Sequence, residues 1–95
     1  MIKLVFTGTL VSKPATRFID AGKRQTICGF TVKTDSDTYF LVTCRGRQAE
    51  NAAKYLHKGR RVCVEAGTII TRAYTGRDGK ARYTMEVPAE VIDYG

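Results

Sequence analysis

Apolar and polar positions interleave through the first half of the chain with the period of half-buried strands. "IKLVFTGTLV" predicts a first strand, with Gly8 placed for a bulge or bend, and Lys13-Pro14 then interrupts the run. "RFIDAGKRQTICGFTVKT" predicts a strand lead-in, a turn over residues 20–22 and a second strand. In that strand Cys28, Phe30 and Val32 share one face, while Gly29, Thr31 and Lys33 share the other. A short turn at "DSD" leads into "TYFLVTCRG", the third strand. Phe40, Val42 and Cys44 form its core face; Tyr39, Leu41, Thr43 and Arg45 form the opposite one, which mixes ring, aliphatic and cation. That second face is a candidate binding surface.

The period then changes. In "RQAENAAKYLHKG", Ala49, Ala52, Ala53 and Leu56 fall at i, i+3, i+4 and i+7, the stripe of a short amphipathic helix. Glu50 and Lys54 are spaced for an i, i+4 pair, and Gly59 is positioned as the residue that ends the helix. A fourth strand is expected over residues 61–74 and a fifth over 81–87, joined by the turn "TGRDGK". A further strand over residues 90–93 extends the fifth beyond Pro88. Three strands, one helix and a long hairpin is the order of the OB-fold, an all-β, five-stranded Greek-key barrel whose helix plugs one end. Oligonucleotides lie across the strand 2–3 face of that fold and under its loops. No low-complexity linker or internal repeat occurs, so residues 1–95 are read as a single domain.

Charge sharpens the picture. Lysine and arginine outnumber aspartate and glutamate by 16 to 9 in 95 residues, a net charge of +7. A surplus of that size on a small chain points to a polyanion, nucleic acid before anionic lipid, against the plainer reading of a solvated basic surface. No apolar run approaches the roughly 20 residues of a membrane span, and "MIKLVFTGTLVSK" lacks a signal-peptide cleavage pattern, so a cytoplasmic, nucleoid-associated protein is expected. Cys28, Cys44 and Cys63 are odd in number, widely spaced and without a C-x-x-C pair. They fit a reducing compartment and the role of small apolar side chains better than a disulfide framework or a zinc site. The single histidine, His57, falls at the expected helix end. Without a histidine-base constellation, a metal cluster or a phosphate-binding glycine loop, neither an enzyme nor a cofactor is expected. Glu65 and Glu86 read as salt-bridge partners within the strand ladders.

Three stretches carry a resemblance. "GTLVSKPATRF" resembles the opening of bacterial single-stranded DNA-binding proteins (SSB), G-x-L followed by P-x-x-R-[FY]; Gly8, Leu10, Pro14, Arg17 and Phe18 match. "RQAENAAKYLHKGRRVCVEAG" is similar to the family's A-E-x-x-x-x-Y-L-x-K-G-x-x-V-x-V-E, and "TRAYTGRDGKARYTMEV" to its T-R-x-[aromatic] and D-G-x-x-R-Y-T-x-E-V hairpin. The likeness runs in order over residues 2–91. There are departures. The family usually has tryptophan at the position of Tyr39 and often at that of Tyr74, whereas this chain has none. Arg45 stands where an aromatic is common, the loop between the second and third strands is cut to "TDSDT", and Ala66 reads as an insertion or bulge. The chain ends at "VIDYG" without the family's acidic-tipped tail, so tail-mediated protein partners are not expected of it.

The resemblance implies a protein that binds single-stranded DNA without sequence preference. It would protect the strand and remove its secondary structure during replication, recombination or repair. It also implies a homo-oligomer, a homotetramer built from dimers that pair first strands near residues 2–6, with the shortened loop leaving a dimer open. A primosomal adaptor that binds DNA weakly and docks replication proteins is the alternative. An RNA chaperone or translation-factor domain is a third reading.

Binding of this kind needs flat side chains for unpaired bases and a cationic track for phosphates. By the resemblance, Tyr39 and Tyr74 are the stacking rings, while Tyr55 and Tyr83 are assigned to the core, the latter beside Met85 and Val87. Lys33, Arg45, Arg47, Arg72, Arg77, Lys80 and Arg82 are the candidate phosphate contacts. Arg72 precedes Tyr74 by two residues, so both project from one face of a strand and make the hairpin one wall of a nucleic-acid channel.

Overall fold

The computed structural model describes residues 3–20 and 24–94. Its elements are β1 (Leu4–Leu10), β2 (Ala15–Asp20), β3 (Arg24–Thr34), β4 (Tyr39–Arg45), α1 (Arg47–Tyr55), β5 (Arg61–Ala66), β6 (Ile70–Thr75), β7 (Ala81–Pro88) and β8 (Val91–Asp93). The alternation read from β3 and β4 holds: Cys28, Phe30 and Val32 are buried together with Phe40, Val42 and Cys44. Valines of β5 and β7, with Ala49, Ala52 and Leu56 of the helix region, complete one core. Cys28 stands opposite Cys44, and the Cys44 thiol, 3.7 Å from the Cys28 carbonyl oxygen, is pushed up to about 12 by burial. All three cysteines are free, and these two behave as the small apolar side chains expected.

The strands pair in the order β6-β7-β4-β3-β1-β5-β8, with β2 added to β3. β4 and β7 run parallel, and the other ladders are antiparallel. The strand expected over residues 61–74 is broken into β5 and β6. The first half bonds to β1 and the second to β7, at opposite ends of the path. The hydrogen-bonded sheet is therefore not closed; covalent continuity through residues 67–69 carries the chain from one end of the path to the other. A single straight strand cannot serve both neighbours, and Gly67, with no side chain to pack, sits where it breaks. The result is the OB-fold Greek key.

Other expectations change in detail. Ala66 is no bulge, because it is buried and paired in regular register with Leu4; the irregularity follows it. Gly8 is a point of close approach: a Cβ there would lie 2.5 Å from the Lys33 carbonyl oxygen and 2.6 Å from Val32 Cγ1. At that residue β1, already bonded to β5, also joins β3. The helix stops at Tyr55, short of Gly59, since Leu56 turns extended to enter the core while its N–H still reaches the Ala52 carbonyl oxygen at 2.9 Å. Ala53 is exposed, and the Glu50–Lys54 pair does not occur among the described residues; Lys54 lies 5.2 Å above the Tyr55 ring instead. The turn expected at residues 20–22 lies partly outside the described residues, as does Ile2 of the first-strand edge.

Candidate nucleic-acid interface

The site is assembled by register. Gly29, Thr31 and Lys33 of β3 stand opposite Thr43, Leu41 and Tyr39 of β4. Leu41 is the parallel partner of Glu86 in β7, and Glu86, Thr84 and Arg82 stand opposite Ile70, Arg72 and Tyr74 of β6. Directly paired residues share a face. The outer sides of β3, β4, β7 and β6 are consequently one surface, bearing Lys33, Tyr39, Arg45, Arg72, Tyr74 and Arg82.

Three concavities join along it. One, of 200 Å³, is lined by Thr31, Tyr39, Leu41, Tyr74, Tyr83 and Thr84 among others. A second, of 380 Å³, takes Leu41, Thr43, Gly29, Ile27, Arg17 and Glu86. A third, of 350 Å³, includes Thr43, Arg45, Gln48, Ile70, Arg72 and Glu86. Shared Leu41, Thr43 and Glu86 make them a single groove.

The rings stand at one end of this groove. Tyr39 is 52% exposed and Tyr74 51%, as stacking platforms must be. Tyr83, assigned from sequence to the core, is 69% exposed and lines the same concavity. Its face was read correctly, since Val87 four residues on is fully buried, but the β6–β7 hairpin has left the barrel by the time it reaches Tyr83. Tyr55 is also corrected: it lies beside rather than on the helix's buried stripe and is exposed.

The cations divide into two groups. Lys33 pairs with Asp37 at 3.1 Å, Arg72 with Glu86 at 3.0 Å and Arg82 with Asp78 at 2.9 Å. The hydrogen bond that Lys33 donates to Asp37, first among the causes, holds the ammonium above its ordinary pKa. Arg45, Arg47, Arg77 and Lys80 have no ion-pair partner among the described residues. Arg45 lines the groove with Arg72. Arg47 follows it at the first position of α1, outside the groove. Arg77 and Lys80 stand at the hairpin tip, where the backbone is fixed by Gly76 N–H to the Lys80 carbonyl at 2.9 Å and Lys80 N–H to Asp78 Oδ1 at 3.1 Å.

The shortened β3–β4 loop is tied down. Asp35 takes a two-pronged hydrogen bond from Arg61 of β5, at 3.0 and 3.4 Å, and the Arg61 contact holds the Asp35 carboxyl below its ordinary range. Glu65, read as a ladder partner, pairs with Lys3 at 3.2 Å. Sequence reasoning passed over Arg17, Thr31 and Tyr83 as site residues, while Thr43 lay on the strand face it had singled out. Arg17 did carry a signal in the P-x-x-R-[FY] stretch; Thr31 carried none beyond alternation.

A Greek-key barrel with rings and cations along one open sheet face defines an oligonucleotide-binding domain. Residues 1–94 match the family described as "Single-strand binding protein family", and the chain belongs to it. It is 34% identical over 100 residues to a single-stranded DNA-binding protein of Clostridium perfringens, covering 99% of this chain and 65% of that protein's length. To single-stranded DNA-binding protein 2 of Clostridium acetobutylicum it is 32% identical over 103 residues, covering 99% of this chain and 76% of the relative. Among solved structures, the small single-stranded DNA-binding protein of Streptomyces coelicolor superposes with a TM-score of 0.75 at 20% identity, covering 99% of this chain and 94% of the other. The second single-stranded DNA-binding protein of Mycobacterium smegmatis gives 0.78 at 22%, covering 100% and 87%. These two likenesses bear on the fold.

Proposed function

We propose that this chain binds single-stranded DNA without sequence preference along the outer face of β3, β4, β7 and β6. The observation that carries the reading is the meeting of Tyr39, Tyr74 and Tyr83, all half or more exposed, at one end of a groove that continues past Arg72 and Arg45. Stacking accepts any base, because every base has a π-face, and is worth about 1–3 kcal/mol per base. Paired bases offer no free face, so the same rings favour the unpaired form. Binding thereby removes secondary structure and shields the strand, which suits the family's roles in replication, recombination and repair. Binding, with no catalysis and no cofactor, is the whole of the proposed activity. Lys33, Tyr39, Arg45, Arg72, Tyr74 and Arg82 are its main contacts, with Arg47, Arg77 and Lys80 as outer phosphate contacts.

A homo-oligomer extends the track. β1 bonds to β5 from Leu4 onward but to β3 only from Gly8, which leaves one edge of residues 4–7 without a ladder partner among the described strands. A second copy of β1 fits that edge, giving a dimer, and pairs of dimers give the tetramer. A nucleoid-associated place in the cytoplasm follows from the proposed ligand; no helix among the described residues is long and apolar enough to cross a membrane. The primosomal adaptor reading is disfavoured by the intact face of rings and cations. Titration of a labelled oligothymidine with light scattering for mass tests the proposal: saturable binding by a tetramer is expected, and no binding to a long oligothymidine in dilute buffer overturns it.

A further inference from the structure

An acidic side chain lies in the middle of this cationic groove. Glu86 lines two of its three concavities and stands between Leu41 of β4 and Ile70 of β6. Its side chain is only 21% exposed, whereas that of its partner Arg72 is 66% exposed. Glu86 Oε2 accepts one hydrogen bond, of 3.0 Å, from Arg72 Nε. The terminal nitrogens of Arg72 bond to no other described residue. A guanidinium held by one donor keeps its remaining donors for a phosphate, the ligand that its fork matches best.

The other two carboxylates paired to groove cations differ in kind. Asp37 and Asp78 sit in turns outside the groove's lining, with side chains 82% and 41% exposed; Asp37 is free to rotate into solvent when a phosphate arrives, and Asp78 also accepts the Lys80 N–H of its own turn. Glu86 is bedded in the strand face and cannot swing clear. Arg72, long and exposed, can.

We propose that Glu86 is a built-in phosphate surrogate: it holds Arg72 over the groove in the free protein, competes with the incoming strand, and so lowers both affinity and the number of phosphates the groove neutralises. The proposal rests on the groove reading above. Arg72 is consequently only partly available to the incoming strand.

Glu86→Gln tests this, since the amide is isosteric and its carbonyl still accepts from Arg72 Nε. Oligothymidine affinity is expected to rise about 5- to 10-fold at low salt, and the slope of log K against log salt to steepen by about 0.7, one further phosphate. The urea midpoint should stay at the wild-type value. In an Arg72→Gln background the gain should shrink to less than about twofold. Weaker or unchanged binding by Glu86→Gln overturns the proposal, as does a full gain without Arg72. Arg72→Gln alone supplies a check that leaves Glu86 in place: it should flatten the slope by less than Arg45→Gln does, and an equal flattening counts against the surrogate. Tyr39→Ala and Arg45→Gln separate the two readings. If both bind like wild type, the groove itself is misplaced; if both weaken while Glu86→Gln changes nothing, the groove stands and only the role of Glu86 falls.

Discussion

Tyr74 stands directly opposite Arg82 across the β6–β7 ladder, so ring and guanidinium share one face. The same coupling recurs at the other side of the groove, where Tyr39 stands opposite Lys33. A nucleotide has two ends to satisfy, a flat apolar base and a charged phosphate, and each cross-strand couple offers one group for each. Tyr74→Ala should therefore weaken oligothymidine binding by about 1–3 kcal/mol, roughly 5- to 150-fold, with little change in salt slope. Fluorescence anisotropy at several salt concentrations measures both quantities, and wild-type affinity would remove the ring from the site.

Arg45 lacks a carboxylate partner among the described residues, whereas Arg82 is held by Asp78 at 2.9 Å. Arg45→Gln should flatten the slope by about 0.7, the loss of one phosphate contact to a single strand. Arg82→Gln should flatten it less. Equal effects of the two would mean that the Arg82–Asp78 pair does not persist in solution.

Tyr83 and Val87 lie on the same alternate face of β7 but in different surroundings. Val87→Ala leaves a void in a fully buried position and should cost roughly 2 kcal/mol in a urea melt. Tyr83→Ala should change stability by less than about 0.5 kcal/mol and weaken DNA binding. A large stability loss for Tyr83→Ala would return that ring to the core.

Gly8→Ala would bring a Cβ to 2.5 Å from a backbone oxygen of β3, which no rotamer change can relieve. A loss of about 1–3 kcal/mol is expected from the forced backbone shift, read as a lower Tm. An unchanged Tm would mean that β1 and β3 stand further apart in solution.

Thiol chemistry reports on the core. At pH 8 an alkylating reagent should modify partly exposed Cys63 and spare buried Cys28 and Cys44, the latter a neutral thiol far below its pKa of about 12. Mass spectrometry of the native protein checks this, and labelling of Cys44 at the rate of Cys63 would contradict the burial.

Much of the fold could be read from one dimension. Strict alternation in "CGFTVK" and "YFLVTCR" assigned both faces of β3 and β4, because the side-chain period of a strand is two whatever its neighbours are. The shared face of Arg72 and Tyr74 followed from the same rule, and Glu86 was read as an ion-pair partner without its partner being identified. Extent was harder. The helix was read as running on towards Gly59, whereas it stops at Tyr55, because periodicity cannot say where Leu56 will leave the helix to reach the core. Tyr83 was placed on its true face but in the wrong surroundings, since alternation does not tell where the barrel ends and a projecting hairpin begins.

By itself, then, the sequence determined the order of the elements, the faces of the central strands and the basic, ring-bearing character of one side, since each depends on neighbours a few residues apart. Tertiary structure decided which strands meet, and with that the groove. The parallel pairing of β4 with β7 brings Tyr39 into one concavity with Tyr74, 35 positions along the chain, and sets Glu86 beside Leu41, 45 positions along, in the two concavities that continue the groove. The break between β5 and β6 lets one segment serve both ends of the sheet. Such long-range pairings are chosen by the joint burial of the whole core, an energy that belongs to no single stretch of chain.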